Sequence, residues 1–163
     1  MAGYVITDAS PLIGLTRVDG LPWLHELFGV VWFPSEVRAE VLTGRGLTGE
    51  QSILQAEAAG WLKLAGGPPL LPTLPDLDEG EAACIRIALA QAEPVLLLMD
   101  ERAGRTVALE HGLRVAGTAA VIGMAKARGL IPSAHAVFAR LHASDFRISA
   151  AVIAAVLRRV GEI

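Results

Sequence analysis

The sequence predicts an α/β protein with a parallel sheet wrapped by helices, and three features of the chain carry this prediction. Residues 95–99, Val-Leu-Leu-Leu-Met, are wholly apolar, which is typical of a strand buried on both faces of a parallel sheet. Apolar runs of strand length also alternate with helical patterns along the chain. Finally, the first strand ends at Asp8 and the central one at Asp100, at the edge where open α/β sheets keep their ligand sites.

The amino-terminal half of the chain predicts strands and helices in alternation. Residues 4–7, Tyr-Val-Ile-Thr, form the first strand, and a helix follows with Ser10 as its N-cap and Pro11 at its first helical position. The further predicted elements of this half are helices at 22–28, 35–42 and 50–59, a strand at 30–33 and a short run at 61–64.

The second half begins with an irregular stretch and then resumes the alternation. Glycines and prolines crowd residues 66–75, including Pro68, and predict a surface loop. Asp78 and Glu81 have the spacing of a capping box, which starts a helix predicted to end at Ala92. The further elements are the central strand, a helix at 103–111, a strand at 113–116, a helix at 118–128 and two helices from Ser133 onward. We expect one domain over residues 1–163, with the C-terminal helices, about 134–161, appended to the core.

Composition narrows the class of protein. The chain has 163 residues, enough for one substantial core without disulfide or metal support. Its single cysteine and the lack of a basic, then apolar, start predict a cytoplasmic protein, and no apolar run reaches the roughly 18 residues of a membrane span. An apolar content of 53% with 19% charged residues favours a subunit or partner interface. A net charge of −3 does not by itself indicate nucleic-acid binding.

Four acids are the candidate site: Asp8, Glu40, Glu81 and Asp100. Crowded carboxylates repel one another unless cations lie between them, and oxygen-only ligands suit Mg²⁺ or Mn²⁺. The chain shows no zinc-type spacing of Cys and His and no phosphate-binding glycine loop that ends in Lys.

Glu81 and Glu40 each have a structural alternative. Glu81 shares a predicted helix face with Ile85, Ala88 and Ala92, which puts an acid on a buried stripe, but it also fits the reciprocal cap of its own helix. Glu40 lies on the flank of an apolar helix face, where an ordinary surface glutamate is the alternative.

Five short segments resemble the PIN-domain family in order and separation. They are residues 7–13 (TDASPLI), 37–41 (VRAEV), 78–82 (DEGEA), 98–102 (LMDER) and 117–118 (GT). The resemblance covers nearly the whole chain and is closest to the prokaryotic VapC-like toxin ribonucleases and their uncharacterised relatives. It implies a three-layer α/β/α, Rossmann-like fold around a central parallel sheet. It also implies a metal-dependent ribonuclease, frequent homodimers and often a small antitoxin partner.

The resemblance also implies roles for the four acids. Asp8 and Asp100 would hold Mg²⁺ or Mn²⁺, Glu81 would ligate the metal or orient its water, and Glu40 would complete a second site. RNA would be cleaved to leave a 5′ phosphate. Four further residues are predicted to support the site. Ser10 would orient Asp8, and Arg102 and Arg105 would meet substrate phosphate. Thr118 is the fourth.

Two departures from the family pattern keep other functions open. Many members carry Asp where Glu81 stands, and a further Asp usually follows where this chain has residues 102–104, Arg-Ala-Gly. A catalytically silent binding protein with the same fold is therefore the main alternative. A phosphatase of the haloacid-dehalogenase type also places Asp at the end of its first strand. It needs a second Asp two residues later, where this chain has Ser10.

Overall fold

A parallel sheet forms the centre of the protein. The computed structural model describes residues 3–67 and 69–163; Pro68 of the predicted loop, and residues 1–2 of the predicted domain, lie outside the described residues. Within the described ranges the sheet has five strands: β1 (Tyr4–Thr7), β2 (Val31–Phe33), β3 (Leu62–Leu64), β4 (Val95–Leu98) and β5 (Arg114–Ala116). Their order is β3-β2-β1-β4-β5, and every neighbouring pair is parallel.

Helices connect and cover these strands. In the described part of the chain they are α1 (Ala9–Thr16), α2 (Leu21–Phe28), α3 (Ser35–Val41), α4 (Glu50–Ala58), α5 (Glu79–Leu89), α6 (Arg102–Glu110), α7 (Thr118–Ala127), α8 (Ala134–Ala143) and α9 (Ala150–Arg159). The predicted three-layer α/β/α architecture with a central parallel sheet is confirmed. None of the helices in the described residues is long and apolar enough to cross a membrane.

The two central strands place the candidate acids side by side. All four residues of β4 are buried, as are Val5, Ile6 and Thr7 of β1, because helices cover both faces of the sheet. Thr7 is in register with Leu98, and the Asp8 N–H donates to the Leu98 carbonyl at 2.9 Å. The chain passes outward from β1 through β2 and β3, then returns to the other side of β1 for β4. The carboxyl ends of β1 and β4 therefore flank the topological switch point, where sheets of this kind bind ligands.

Most predicted boundaries agree with the structure within two residues, but two details are wrong. Ser10 is not the N-cap of α1. The helix begins one residue after Asp8, whose backbone is extended as it leaves β1, so Ser10 lies inside the first turn. The second error concerns α5, which ends at Leu89 rather than Ala92. Pro94 disfavours helical backbone before it, the chain must turn there into β4, and Ala92 is exposed.

The last helix packs on the body of the chain. Helix α9 contacts α7 and α8. A Cβ on Gly123 of α7 would lie 2.9 Å from Val156 Cγ1, so the glycine permits the close approach. Leu157 is buried and Val160 half-buried, whereas Val152 is 46% exposed. The apolar stripe of α9 therefore mainly covers the protein's own core.

Candidate active site

A pocket of about 280 Å³ opens beside Asp8 at the carboxyl end of β1. Five of its eight lining residues carry a carboxylate. The lining consists of Asp8, Ser10, Ile13, Glu40, Asp78, Glu81, Glu101 and Phe146. The structure thus brings three of the four predicted acids around one pocket, and the fourth, Asp100, adjoins it through a hydrogen bond from Ser10.

Asp8 is buried, with 5% of its surface exposed, as is Glu81 in the same pocket. Burial, followed by the negative charges of Asp78, Glu81 and Glu40, raises the pKa of Asp8 to about 7, although a hydrogen bond from the Ala9 N–H opposes the shift. A carboxyl group that holds its proton near neutral pH lacks a compensating cation. The environment of Asp8 therefore favours the binding of a cation.

The first turn of α5 closes over Asp8. A Cβ on Gly80 would lie 3.4 Å from Asp8 Oδ1 and 3.5 Å from Asp78 Oδ1, so both carboxylates come within van der Waals distance of this position. Gly80 belongs to the segment 78–82 that carries part of the family resemblance.

Glu81 forms the reciprocal cap of its own helix and also lines the acid pocket. The Glu81 N–H donates to Asp78 Oδ1 at 2.8 Å and the Asp78 N–H donates to Glu81 Oε1 at 3.3 Å, so the capping box is formed. Glu81 Oε2, however, is buried without a hydrogen-bond partner. It lies 2.6 Å from the position that a Cβ on Gly104 would occupy. Burial, with the charges of Asp78 and Glu101, raises the pKa of Glu81. The cap uses one carboxylate oxygen and leaves the other available.

Glu40 approaches the pocket from α3. Its residue surface is exposed, yet its side chain lines the pocket. Partial desolvation of the carboxyl group and the charge of Asp78 raise the pKa of Glu40. Glu40 and Asp78 also line an adjoining pocket with Glu36 and Glu79, so the acidic surface continues across α3 and α5.

Asp100 is held in place by hydrogen bonds. Its Oδ1 accepts from the Thr118 N–H at 2.7 Å, and its Oδ2 accepts from the Thr118 hydroxyl at 2.7 Å and the Ser10 hydroxyl at 2.9 Å. The sequence had suggested that Ser10 orients Asp8, but in the structure its hydroxyl donates to Asp100 instead. A Cβ on Gly117 would lie 2.8 Å from Asp100 Oδ1, which explains the small residue before Thr118.

Neither predicted arginine lines the pocket. Arg105 Nη1 donates to the Met99 carbonyl at 2.9 Å, which anchors the end of β4 to α6. Arg102 is exposed at the first residue of α6. Contact of either with substrate phosphate stays a prediction.

Four pocket residues were not proposed from the sequence as site residues: Ile13, Asp78, Glu101 and Phe146. Ile13 and Glu101 were noted only within motifs and Asp78 as a helix cap within one; the closeness of Asp78 to Glu81 and of Glu101 to Asp100 was the available signal. Phe146 had no such signal, because it reaches the pocket from the segment between α8 and α9.

The donor chemistry fits Mg²⁺ or Mn²⁺. The pocket offers carboxylate oxygens, which are the ligands that these hard cations prefer. Glu81 Oε2 is a buried acceptor without a partner. Among the described residues, no three His, Cys, Asp or Glu side chains are already arranged to hold a metal, so ligation requires the side chains to turn.

The nearby Cys84 thiol does not suit nucleophilic chemistry. It is fully buried and donates to the Thr7 carbonyl at 3.4 Å. Burial and the charges of Asp8 and Asp78 raise its pKa well above the usual range, so the reactive thiolate is disfavoured.

The fold and pocket define an α/β protein with an acidic site at the switch point of its sheet. A family model described as a PIN domain matches residues 4–162, and the chain belongs to the PIN-domain family. Neither curated proteins nor solved structures gave a match. PIN domains are usually nucleases and usually use divalent metal ions. Membership of the family therefore supports a hydrolase of the nuclease class.

Proposed function

We propose that the protein is a Mg²⁺- or Mn²⁺-dependent endoribonuclease that hydrolyses phosphodiester bonds of single-stranded or structured RNA. The observation that carries the proposal is the environment of Asp8. This buried carboxyl group shares its pocket with four other acids, and its pKa is raised to about 7. Ionisation of a carboxyl group in such a site is costly without a divalent cation and becomes favourable when a divalent cation is bound.

Four acids would hold the cations. Asp8 and Asp100 would bind from the ends of β1 and β4, Glu81 from α5 and Glu40 from α3. Bound cations supply activation of water and stabilisation of the charge that develops on the leaving oxygen. An all-oxygen site of this kind would accept either metal, so both are to be tested.

Hydrogen bonds within the protein fix the orientation of two of these acids. Thr118 and Ser10 restrain Asp100 through both of its oxygens, and the capping box restrains Glu81 through Oε1. Outer hydrogen bonds of this type set the orientation of metal ligands and typically change affinity or activity about 10- to 100-fold when removed.

Asp8→Asn tests the proposal. Asn keeps the shape of the side chain but removes the charge, so RNA cleavage in Mg²⁺ or Mn²⁺ should fall to the level seen with EDTA. Asp76→Asn is the matched control, because Asp76 is exposed and lies outside the pocket lining, and it should cleave like wild type. Equal cleavage by wild type and Asp8→Asn, in protein freed of contaminating nuclease, would contradict the assigned site.

We also propose that the ribonuclease is the toxin of a toxin-antitoxin pair, with a small antitoxin partner. The proposal rests on the resemblance to VapC-like proteins and on the 53% apolar composition. Expression should arrest growth, and coexpression of a small neighbouring gene should relieve the arrest. Arrest that persists in the Asp8→Asn variant would contradict a toxin that acts by cleavage.

A catalytically silent binding protein is the second candidate. It is favoured by the capping role of Glu81 and by the lack of a preformed three-ligand cluster among the described residues. Wild-type protein that cleaves no RNA with either metal, and shows no metal binding by calorimetry, would support this alternative.

A further inference from the structure

The segment between α8 and α9, residues 144–149, brings an aromatic ring to the acid pocket. Phe146 lines this pocket with Ile13, and the two form its apolar side. Carboxylates can bind metal cations. An aromatic ring is neither a ligand for Mg²⁺ or Mn²⁺ nor a hydrogen-bond donor to phosphate, so Phe146 calls for a different explanation. The ring is half-buried, so part of its surface is available to a ligand.

Hydrogen bonds and close packing hold the ring in this position. The Phe146 N–H donates to the Ser144 hydroxyl at 3.3 Å, and Arg147 Nη1 donates to the His142 carbonyl at 2.8 Å. A Cβ on Gly14 of α1 would lie 2.8 Å from Phe146 Cζ and 2.9 Å from Cε2. The ring therefore rests on the same helix that carries Ser10, and its place relative to the acids is set by that helix.

An adjoining pocket of about 400 Å³ extends the site away from the acids. It shares Ile13 and Glu40 with the acid pocket and also contains Arg17 and Asp145. Among the described residues that line the two pockets, Arg17 is the only Lys or Arg.

The guanidinium of Arg17 has spare hydrogen-bonding capacity. Its Nη1 lies 3.7 Å from Asp145 Oδ2, and the Asp145 side chain is 92% exposed, so this ion pair is weak. Arg17 Nε is buried without a partner. The side chain is 30% exposed, and an anion with several oxygens would give its terminal nitrogens a closer partner than the distant contact with Asp145.

We infer that Phe146, on the apolar side of the acid pocket, and Arg17 in the adjoining pocket form a nucleotide subsite next to the cleavage centre, in which an unpaired base packs on Phe146 and a neighbouring phosphate pairs with Arg17. The inference rests on the proposed ribonuclease function and names its substrate class as single-stranded RNA. A base inside a duplex is stacked between its neighbours and cannot cover the ring, whereas a single strand offers its base faces to aromatic side chains.

An abasic scan tests the contact with Phe146. The probe is a labelled single-stranded RNA of about eight nucleotides, compared with strands that each lack one base, and binding is followed by fluorescence anisotropy with Ca²⁺ in place of Mg²⁺. In wild type, one abasic position should weaken binding by about tenfold, in line with the usual strength of base stacking on an aromatic side chain. In Phe146→Leu the same position should lose its effect, because the ring is already absent.

Two variants control for a merely structural role of the ring. Phe28→Leu makes the same change at a half-buried ring outside both pockets, and it should keep the abasic effect. Phe146→Tyr keeps an aromatic ring and should also keep it, which provides a readout if Phe146→Leu does not fold. Loss of the effect in Phe146→Tyr, or its survival in Phe146→Leu, would overturn the inference.

Salt dependence tests the contact with Arg17. Arg17→Gln should reduce the slope of log affinity against log salt by about 0.7, the value for one phosphate contact on a single strand. Arg114→Gln, on exposed β5 surface outside both pockets, should leave the slope unchanged. An unchanged slope in Arg17→Gln would remove the phosphate half of the subsite.

The outcomes separate this inference from the ribonuclease proposal. RNA cleavage that depends on Asp8, combined with a flat abasic scan in wild type, would overturn the subsite and leave the ribonuclease intact. Wild type that neither binds nor cleaves RNA would overturn both.

Discussion

Thr118 binds Asp100 twice, through its backbone N–H to Oδ1 and through its hydroxyl to Oδ2, each at 2.7 Å. The first turn of α7 therefore fixes the carboxylate at the end of β4 in one orientation. Helix N-terminal N–H groups also favour a negative charge, which keeps an acid in this position favourable. Asp100 and Asp8 therefore differ: both oxygens of Asp100 accept hydrogen bonds, whereas the negative charge of Asp8 has no cationic side chain beside it in the described part of the chain.

Thr118→Val should weaken catalysis without unfolding the protein. Valine keeps the shape and the backbone donor but removes the hydroxyl, so Asp100 loses one of three hydrogen bonds. We expect kcat/KM for RNA to fall by roughly 10-fold or more, as is usual for outer hydrogen bonds to metal ligands. Thr106→Val is the control, since its exposed hydroxyl bonds only the Arg102 carbonyl within α6. Equal kcat/KM for wild type and Thr118→Val would show that the orientation of Asp100 does not matter.

The stability of the metal-free protein should depend on Asp8 and on pH. The pKa of Asp8 is raised from 3.8 to about 7, so between these values the folded protein holds a proton that the unfolded chain has lost. The free energy of unfolding therefore falls as pH rises through this window. Asn removes the effect, and Asp8→Asn in EDTA should be more stable than wild type at pH 8, by up to about 4 kcal/mol.

Urea unfolding at several pH values, with and without Mn²⁺, measures this difference. The advantage of Asp8→Asn should disappear at pH below the unfolded-state pKa, where both side chains are neutral. Added Mn²⁺ should stabilise wild type at pH 8 and leave Asp8→Asn unchanged, because only the ionised carboxylate binds the metal. A constant stability difference across the whole pH range would disprove the raised pKa.

Glu81→Gln should separate the cap of α5 from metal binding. Glutamine accepts the same hydrogen bond from the Asp78 N–H, so the capping box survives, while the charge is lost. We expect helix content and folding to be retained and Mn²⁺ affinity, measured by calorimetry, to fall about 10-fold or more. Glu79→Gln, an exposed acid in the same first turn, should bind Mn²⁺ like wild type. Unchanged affinity in Glu81→Gln would leave Glu81 with the capping role alone.

Light scattering at micromolar concentration should report a homodimer. The reason for this expectation is the apolar composition, since formation of a symmetric dimer is the commonest way to cover exposed apolar surface. Leu54, Leu64 and Leu109 are large exposed apolar side chains in three different elements, and they give places to search for the interface. A mass near 17.1 kDa, with no partner bound, would contradict the dimer.

The strand-terminal acids and the cap of α5 were predictable from local sequence. The apolar run before Asp100 is typical of a strand buried on both faces, and the spacing of Asp78 and Glu81 is the signature of a capping box. These signals work because each depends on residues a few positions apart. The same locality made the helix boundaries predictable to within two residues, apart from the end of α5.

The partners of these acids depend on strand order. Ser10 and Asp100 are ninety residues apart and meet because β1 and β4 are adjacent in the sheet, a pairing that periodicity does not encode. The helix interior position of Ser10, which follows from the early start of α1, frees its hydroxyl for this bond.

Local sequence patterns were enough to predict the fold class and the acids at the strand ends, because apolar runs and cap residues act on the nearest turns of the chain. The raised pKa of Asp8 and the position of Phe146 in the same pocket follow instead from how distant parts of the chain pack together. The pKa of Asp8 depends on burial and on charges from α3 and α5. The place of Phe146 depends on packing against Gly14 across the molecule. Both effects act between residues that are far apart in the sequence, and these residues come close to one another only when the chain has folded.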